Sequence, residues 1–326
     1  MKHILLRKYG ILAWIFLTSC TLFAQTPTDG LMMGKQTMCV ALMYSQNSWD
    51  QYWEGTNFRR NPNLGTVSTQ MGSLMAAYGI SERLNVIVGL PYIRTHASAS
   101  YLEDQRGFQD VSAWLKYRII KQETGLGTLR SFVTVGVSAP THNYNPDYLP
   151  LSLGLHSKTA SGRLVVDFLS KPGFYVTAQA GYTRRSNIFI DRDSYLYDNQ
   201  LYYTNEVQVP DMADGNVRVG FRNNRFQTDI YIERMAAVSG DDIRYNDMPF
   251  PTNAMKSTAV GWYGRYNIQQ LSIIGGLNQV LNGRNVGKSS GFMVGVLYAF
   301  RVAGHGEKCG KPEGMQHSSH SEAAEQ

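Results

Sequence analysis

From Gln36 onward the chain alternates apolar residues with polar or small ones, in segments of roughly ten residues. Successive side chains of a strand point to opposite faces, so Val176, Ala178, Ala180 and Tyr182 share one side of a strand. Thr177, Gln179, Gly181 and Thr183 share the other side. Phe226, Ile230 and Ile232 likewise oppose Gln227, Asp229, Tyr231 and Glu233, and Val217, Val219 and Phe221 oppose Asn216, Arg218, Gly220 and Arg222. Phe292, Val294, Val296, Tyr298 and Phe300 form one outward row. The pattern predicts twelve strands: 36–46, 65–79, 84–97, 108–121, 129–139, 157–169, 174–185, 213–223, 226–236, 256–267, 271–281 and 291–301.

The connections carry a second regularity. Ile80 to Arg83, the stretch around Gly125-Leu126-Gly127, Ser170 to Gly173, Asn224-Arg225 and Ile268 to Gln270 are short. The connections 47–64, 98–107, 140–156, 186–212, 237–255 and 282–290 are longer, and the two kinds take turns. Inside a bilayer every backbone donor and acceptor must be paired within the protein, so a sheet crosses only when closed. An even number of antiparallel strands, tight turns on the periplasmic side and long loops outside are features of bacterial outer-membrane barrels. The predicted fold is therefore an all-β, up-and-down transmembrane barrel. A soluble β-sandwich or lipocalin-like barrel also alternates, but puts its polar rows outward.

Composition agrees with strands. The chain has 326 residues, with 31 glycines, 20 tyrosines and only 17% charged residues. After the N-terminus no apolar run reaches the roughly 18 residues a membrane helix needs. The net charge of +6 comes without a basic block, so nucleic acid is not an expected partner. Residues 1–24 read as a signal peptide: Lys2, Arg7 and Lys8, then an apolar stretch, then Leu22-Phe23-Ala24-Gln25 as the cleavage end. Leu17-Thr18-Ser19-Cys20 resembles a lipobox, which would make Cys20 a lipidated N-terminus instead. After cleavage at Ala24, Cys39 and Cys309 remain, and nothing demands that they pair. The expected organisation is the signal peptide, a barrel over 25–302, and a polar tail over 303–326 that cannot form a core and is expected to be disordered in the periplasm.

Candidate chemistry follows the faces. Lys116, Arg118, Arg163, Asp167, Arg218, Arg222, Asp229, Glu233 and Arg265 are assigned to the lumen, where charge tunes pore selectivity or closes the lumen by pairing. Trp49, Tyr52 and Trp53 after the first strand, and Tyr78, Tyr92, Tyr117, Tyr182, Tyr266 and Tyr298 near strand ends, are candidates for the headgroup zone. In the tail, His305, Cys309, His317 and His320 are soft-metal ligand types without the spacing of a tetrahedral site. Gly283 to Ser289 is one residue short of a P-loop and reads as a loop. His96, His142 and His156 read as solvated loop residues, and Asp191-Arg192-Asp193 and Asp241-Asp242 as loop charge rather than calcium sites.

Two stretches carry a family likeness: Tyr78-Gly79 through the turn to Leu90-Pro91-Tyr92, and Gly107-Phe108-Gln109-Asp110 to Lys116-Tyr117-Arg118. Together they resemble the outer-membrane transporter family named for the MetA pathway of phenol degradation. The ending Leu22-Phe23-Ala24-Gln25 is similar to Bacteroidetes export signals. The resemblance implies a Gram-negative outer-membrane barrel, with membrane lipid and the insertion machinery as partners. It also implies passage of small, aromatic organic solutes, and the cationic excess among the assigned lumen residues would attract anionic ones such as aromatic carboxylates. Most family members end at the last strand's aromatic residue, whereas this chain continues past Phe300. No cofactor and no enzymatic activity are expected. A structural or partner-binding barrel acting through its long loops, and an outer-membrane hydrolase, are the competing readings.

Overall fold

The computed structural model describes residues 26–60, 62–99 and 101–302. The expected signal peptide over 1–24, Cys20 and the tail with His305, Cys309, His317 and His320 lie outside the described residues. Twelve long strands form the wall: Thr37–Trp49 (β1), Val67–Gly79 (β2), Leu84–Ala97 (β3), Asp110–Glu123 (β4), Gly127–Pro140 (β5), Thr159–Ser170 (β6), Phe174–Arg185 (β7), Met212–Arg222 (β8), Phe226–Ala237 (β9), Lys256–Ile268 (β10), Leu271–Arg284 (β11) and Ser290–Arg301 (β12). Each pairs antiparallel with its sequence neighbours, and β1 pairs with both β2 and β12. Tyr44 sits opposite Gly72 on one side and Val294 on the other. The sheet is thus a closed barrel without a free edge. It resolves the ambiguity of the alternation, because the apolar rows face outward.

Every strand contributes an exposed apolar residue to one band: Leu42, Leu74, Val88, Leu115, Val135, Leu164, Val176, Val219, Ile230, Trp262, Ile273 and Val294. A soluble barrel could not carry that band in water; a barrel in lipid requires it. Aromatic residues bracket it. Tyr117, Phe174, Phe226, Tyr266 and Tyr298 lie outward toward the short-turn end, and Tyr44, Tyr92, Phe108, Tyr182 and Phe292 toward the long-loop end. Strands of 11–14 residues rise about 36 Å or more, which a tilt of about 40° converts to the thickness of a bilayer core.

The tight turns have local causes. Asn223 accepts from the backbone N–H groups of Arg225 and Phe226 at 2.9 and 2.7 Å, which fixes the β8–β9 turn. Gly173, at φ +106°, makes the β6–β7 turn in a region closed to side chains. At the other end the long connections hold structure of their own. Gln51–Glu54 pairs with Asn57–Arg60, Tyr195–Tyr197 with Gln200–Tyr202, and Ile188–Phe189 with Glu206–Val207.

The expectation for Trp49, Tyr52 and Trp53 is corrected. They do not form a headgroup belt. Trp49 packs on a loop core of Leu64, Val67, Ala97 and Leu151. Tyr52 is buried with its hydroxyl on Glu54 at 3.3 Å, and Trp53 packs on Phe58. The expected loop role of His96, His142 and His156 is refined: His96 bonds Asp104 at 2.6 Å, and His142 and His156 flank the Tyr144 ring. Asp241 and Asp242 tie loops together. Asp241 takes the Thr252 hydroxyl at 2.7 Å and Asp242 takes Arg284. Cys39 is a free, buried thiol on the inner face of β1.

Candidate functional site: the barrel lumen

The inner face carries polar and charged side chains beside one apolar patch. Lys116 on β4 is wholly buried. Its ammonium donates to the carbonyls of Thr26 and Asp29 at 3.0 and 2.5 Å and to the Asp29 carboxylate at 2.8 Å. Those acceptors precede the first strand, so residues 26–36 fold into the lumen. Asp29 shapes the segment by also accepting from the N–H groups of Thr26 and Leu31. Thr134 on β5 donates to the Pro27 carbonyl at 3.2 Å. Gly30 lies so close to Asp167 that a Cβ there would overlap the carboxylate. Met33 completes a core with Cys39, Ala41, Ala77, Ile87, Ile274, Leu297 and Ala299 from the inner wall. The Gln36 N–H then donates to the Gly79 carbonyl at 2.7 Å and hands the chain to β1. The short-turn half of the lumen is therefore filled by the chain's own N-terminal segment.

Beside that plug lies an ionic layer. Asp167 on β6 is fully buried and receives Arg130 at 2.8 Å, Arg222 at 2.9 Å and the Thr177 hydroxyl at 2.6 Å. Asp229 on β9 receives the Tyr175 hydroxyl at 2.5 Å and Arg218 at 3.5 Å. The Arg222 guanidinium lies over the Tyr175 ring, 4.4 Å from its centroid. Arg118 and Arg265 are buried in the same wall. Buried charges persist when paired and hydrogen-bonded, and the carboxylates of Asp167 and Asp229 meet that condition.

The middle of the lumen is more open. Arg163 bonds both oxygens of Asp214 at 3.0 Å and lies 5.7 Å from the Trp114 ring centroid. The Trp114 ring fills the space that a side chain at Gly136 would take. Arg218 lies 4.8 Å from the Tyr231 ring centroid. Glu233, on the same face of β9 as Tyr231 and Asp229, is exposed. In the long-loop half, the connection 141–158 dips into the mouth. Thr95 donates to the Leu151 carbonyl at 2.6 Å, Leu153 packs on Ile93 and Met71, and Tyr144 bonds Asp110 at 2.5 Å. The lumen is narrowed from both ends, with an aromatic and cationic stretch between.

Among the described residues, the lumen cations Lys116, Arg118, Arg130, Arg163, Arg218, Arg222 and Arg265 outnumber the carboxylates Asp29, Asp167, Asp214 and Asp229 that meet them. Arg130 and Asp214 are absent from the residues assigned to the lumen by sequence. The row Val133, Val135, Val137 against Thr134, Gly136, Ser138 could have placed Arg130. Asp29 had no comparable signal, because no periodicity precedes Gln36.

The sequence profile described as "Putative MetA-pathway of phenol degradation" matches residues 55–294. No curated protein matches the chain. In fold the barrel is similar to an outer membrane channel from Pseudomonas putida F1, at 15% identity and TM-score 0.66, over 85% of this chain and 100% of that one. The translocator domain of the autotransporter NalP from Neisseria meningitidis is a more distant match, at 10% identity and TM-score 0.44, over 84% and 91% of the two chains.

Proposed function

The chain belongs to the family described as the MetA pathway of phenol degradation, and we propose on that footing that it is an outer-membrane channel for small organic solutes, aromatic carboxylates among them. It is exported by the segment 1–24 and sits with its long loops outward and the turns and 303–326 tail in the periplasm. It carries out no chemistry of its own. The observation that supports this reading is the pair of cation–aromatic contacts in the mid-lumen, Arg163 with Trp114 and Arg218 with Tyr231. A ring stacks on such aromatics and a carboxylate meets such guanidinium groups, each weakly enough for the solute to leave. The plug of residues 26–36 and the loop 141–158 act as the two constrictions.

Liposome swelling tests the reading. Proteoliposomes should admit benzoate faster than an uncharged sugar of similar size, and the double variant Arg163→Gln, Arg218→Gln should lose that preference. Equal rates for both solutes in wild-type vesicles would refute the selectivity. A second reading, a barrel that binds an outside partner, is favoured by the exposed loop tyrosines Tyr101, Tyr203 and Tyr245. Under that reading, deleting 198–204 would abolish partner binding and leave swelling unchanged.

A further inference from the structure

The outward face carries a feature that passage of solutes does not use. Lys158 at the head of β6, Arg184 on β7 and Lys256 on β10 each stand ten residues along the strand from an aromatic near the short-turn end: Phe168, Phe174 and Tyr266. Arg234 on β9 stands eight residues from Phe226. Ten residues rise about 33 Å, and a tilt of about 40° brings that to about 25 Å along the membrane normal, the height of the apolar band in such barrels. Lys158, Arg184 and Lys256 therefore sit at the level of the headgroups on the long-loop side, and Arg234, two residues lower, reaches toward that level along its long side chain.

They also sit together. Arg184 is opposite Ala160, and the Lys158 carbonyl accepts from the Ser186 N–H, so Lys158 and Arg184 are diagonal neighbours. Arg234 is opposite Thr258 and Lys256 opposite Ala236, a second diagonal pair. Between the pairs stand the small outward residues Gly162, Ala180, Ala213 and Gly215, with the Tyr182 ring among them, opposite Gly162 and Ala213, and a Cβ at Gly162 would meet no atom within 4 Å. The result is a shallow apolar floor rimmed by positive charge. Asp211, which takes the Tyr182 hydroxyl at 2.7 Å, is the carboxylate on the same rim, and Asp242 lies beyond Lys256. The opposite arc differs. On β1, β2, β11 and β12 the corresponding outward positions are Gln46, Ser48, Ser68, Gln70, Gln279 and Ser290. Near β3, Arg94 and His96 are already taken by Asp104 at 3.3 and 2.6 Å.

We infer that the β6–β10 arc is a docking site for a phosphorylated glycolipid of the outer leaflet, of the lipid A type, whose phosphates meet Lys158, Arg184, Arg234 and Lys256 and whose acyl chains lie on the small-residue floor. The inference rests on the membrane orientation proposed above. The charge complementarity is local, and the small residues on either side of the exposed Tyr182 ring leave shallow ground along which saturated acyl chains make continuous van der Waals contact.

Native mass spectrometry of the full chain in detergent, titrated with bis-phosphorylated or with dephosphorylated lipid A, tests it. The wild type should retain the bis-phosphorylated form at least tenfold more strongly. Each cation near an anionic headgroup contributes about a fivefold factor, so Lys158→Gln, Arg184→Gln, Arg234→Gln and Lys256→Gln combined should erase the difference. The pair Arg184→Gln, Arg234→Gln, a milder change to the wall, should reduce it about tenfold or more, and Arg94→Gln with His96→Gln should leave it intact. Equal retention of the two lipids by the wild type, or unchanged retention by the Arg184, Arg234 pair, would overturn the inference. Heat-dependent gel mobility and liposome swelling of the same samples separate this failure from failure of the barrel reading: a variant that shifts and swells normally is an inserted channel whether or not it holds lipid A.

Discussion

Replacing Lys116 with methionine keeps most of the side-chain volume and removes the ammonium that holds the plug. In the wild type that group makes three contacts with residues 26–29, at 2.5 to 3.0 Å, from a side chain with no solvent exposure. Removing one partner of a buried ion pair costs about 3–5 kcal/mol, because the other is left without compensation. Asp29 retains 18% exposure and water can reach it, so the lower end of that range applies. About 3 kcal/mol corresponds to roughly a hundredfold fall in the ratio of docked to released plug. The contacts left in place include burial of Leu31 and Met33, the Thr134–Pro27 hydrogen bond, the Lys35 N–H bond to Glu82 and the backbone hand-over at Gly79. The assay is single-channel recording in planar bilayers. Lys116→Met should show a larger fraction of time in the high-conductance state than wild type, with an unchanged heat-dependent gel shift showing an intact wall. Identical conductance and open fraction in a properly folded variant would refute the assignment of residues 26–36 as the constriction.

Three further outcomes follow from the same contacts. Asp167→Asn leaves Arg130 and Arg222 buried without their carboxylate and should cost the barrel about 3–5 kcal/mol, read as a lower temperature for loss of the folded band in gels. Asn285→Ala removes the acceptor of the Gly55 and Ile243 N–H groups; two buried donors without partners cost about 2–6 kcal/mol, so hydrogen exchange in 51–60 and 238–255 should speed up while the wall strands stay protected. The hydrogen bonds from Arg284, aided by Asn285, hold the Asp242 carboxyl below the usual carboxylate range. A lowered folded value means its contribution is complete above the ordinary value of about 4 and fades as pH falls through the lowered one. Acid should therefore expose the 238–255 connection to pepsin in wild type, whereas Asp242→Asn should show the same susceptibility at every acid pH; a wild-type loop that stays protected throughout that range would contradict the tie.

The wall was legible in the sequence because its cause is local. Lipid outside and a polar interior impose a period of two, and strand bounds came within a few residues of those observed. The exceptions have reasons. β1 runs on to Trp49 because Asn47 and Ser48, though polar, still pair with Gly291 and Ser290. β11 runs on to Arg284 past a bulge opposite Thr258 and Ala259, which breaks the alternation the eye follows. The plug was not legible, since Lys116 meets Asp29 across 87 positions and a segment such as Thr26-Pro27-Thr28-Asp29-Gly30 reads as turn. The inward dip of 141–158 was hidden for the same reason: Thr95 meets Leu151 across 56 positions, with no periodicity in the loop to show which residues it buries. Trp49, Tyr52 and Trp53 misled because an aromatic beside a strand end suits a headgroup layer and a loop core equally well.

The central claim is that the barrel is a solute pathway closed by its own N-terminal segment. Its most direct test is swelling of proteoliposomes that contain either the full chain or a chain lacking residues 26–35, with benzoate as the solute. The full chain should swell slowly and the deletion severalfold faster. Benzoate excluded equally by both, from vesicles whose protein shows the folded gel shift, would contradict it.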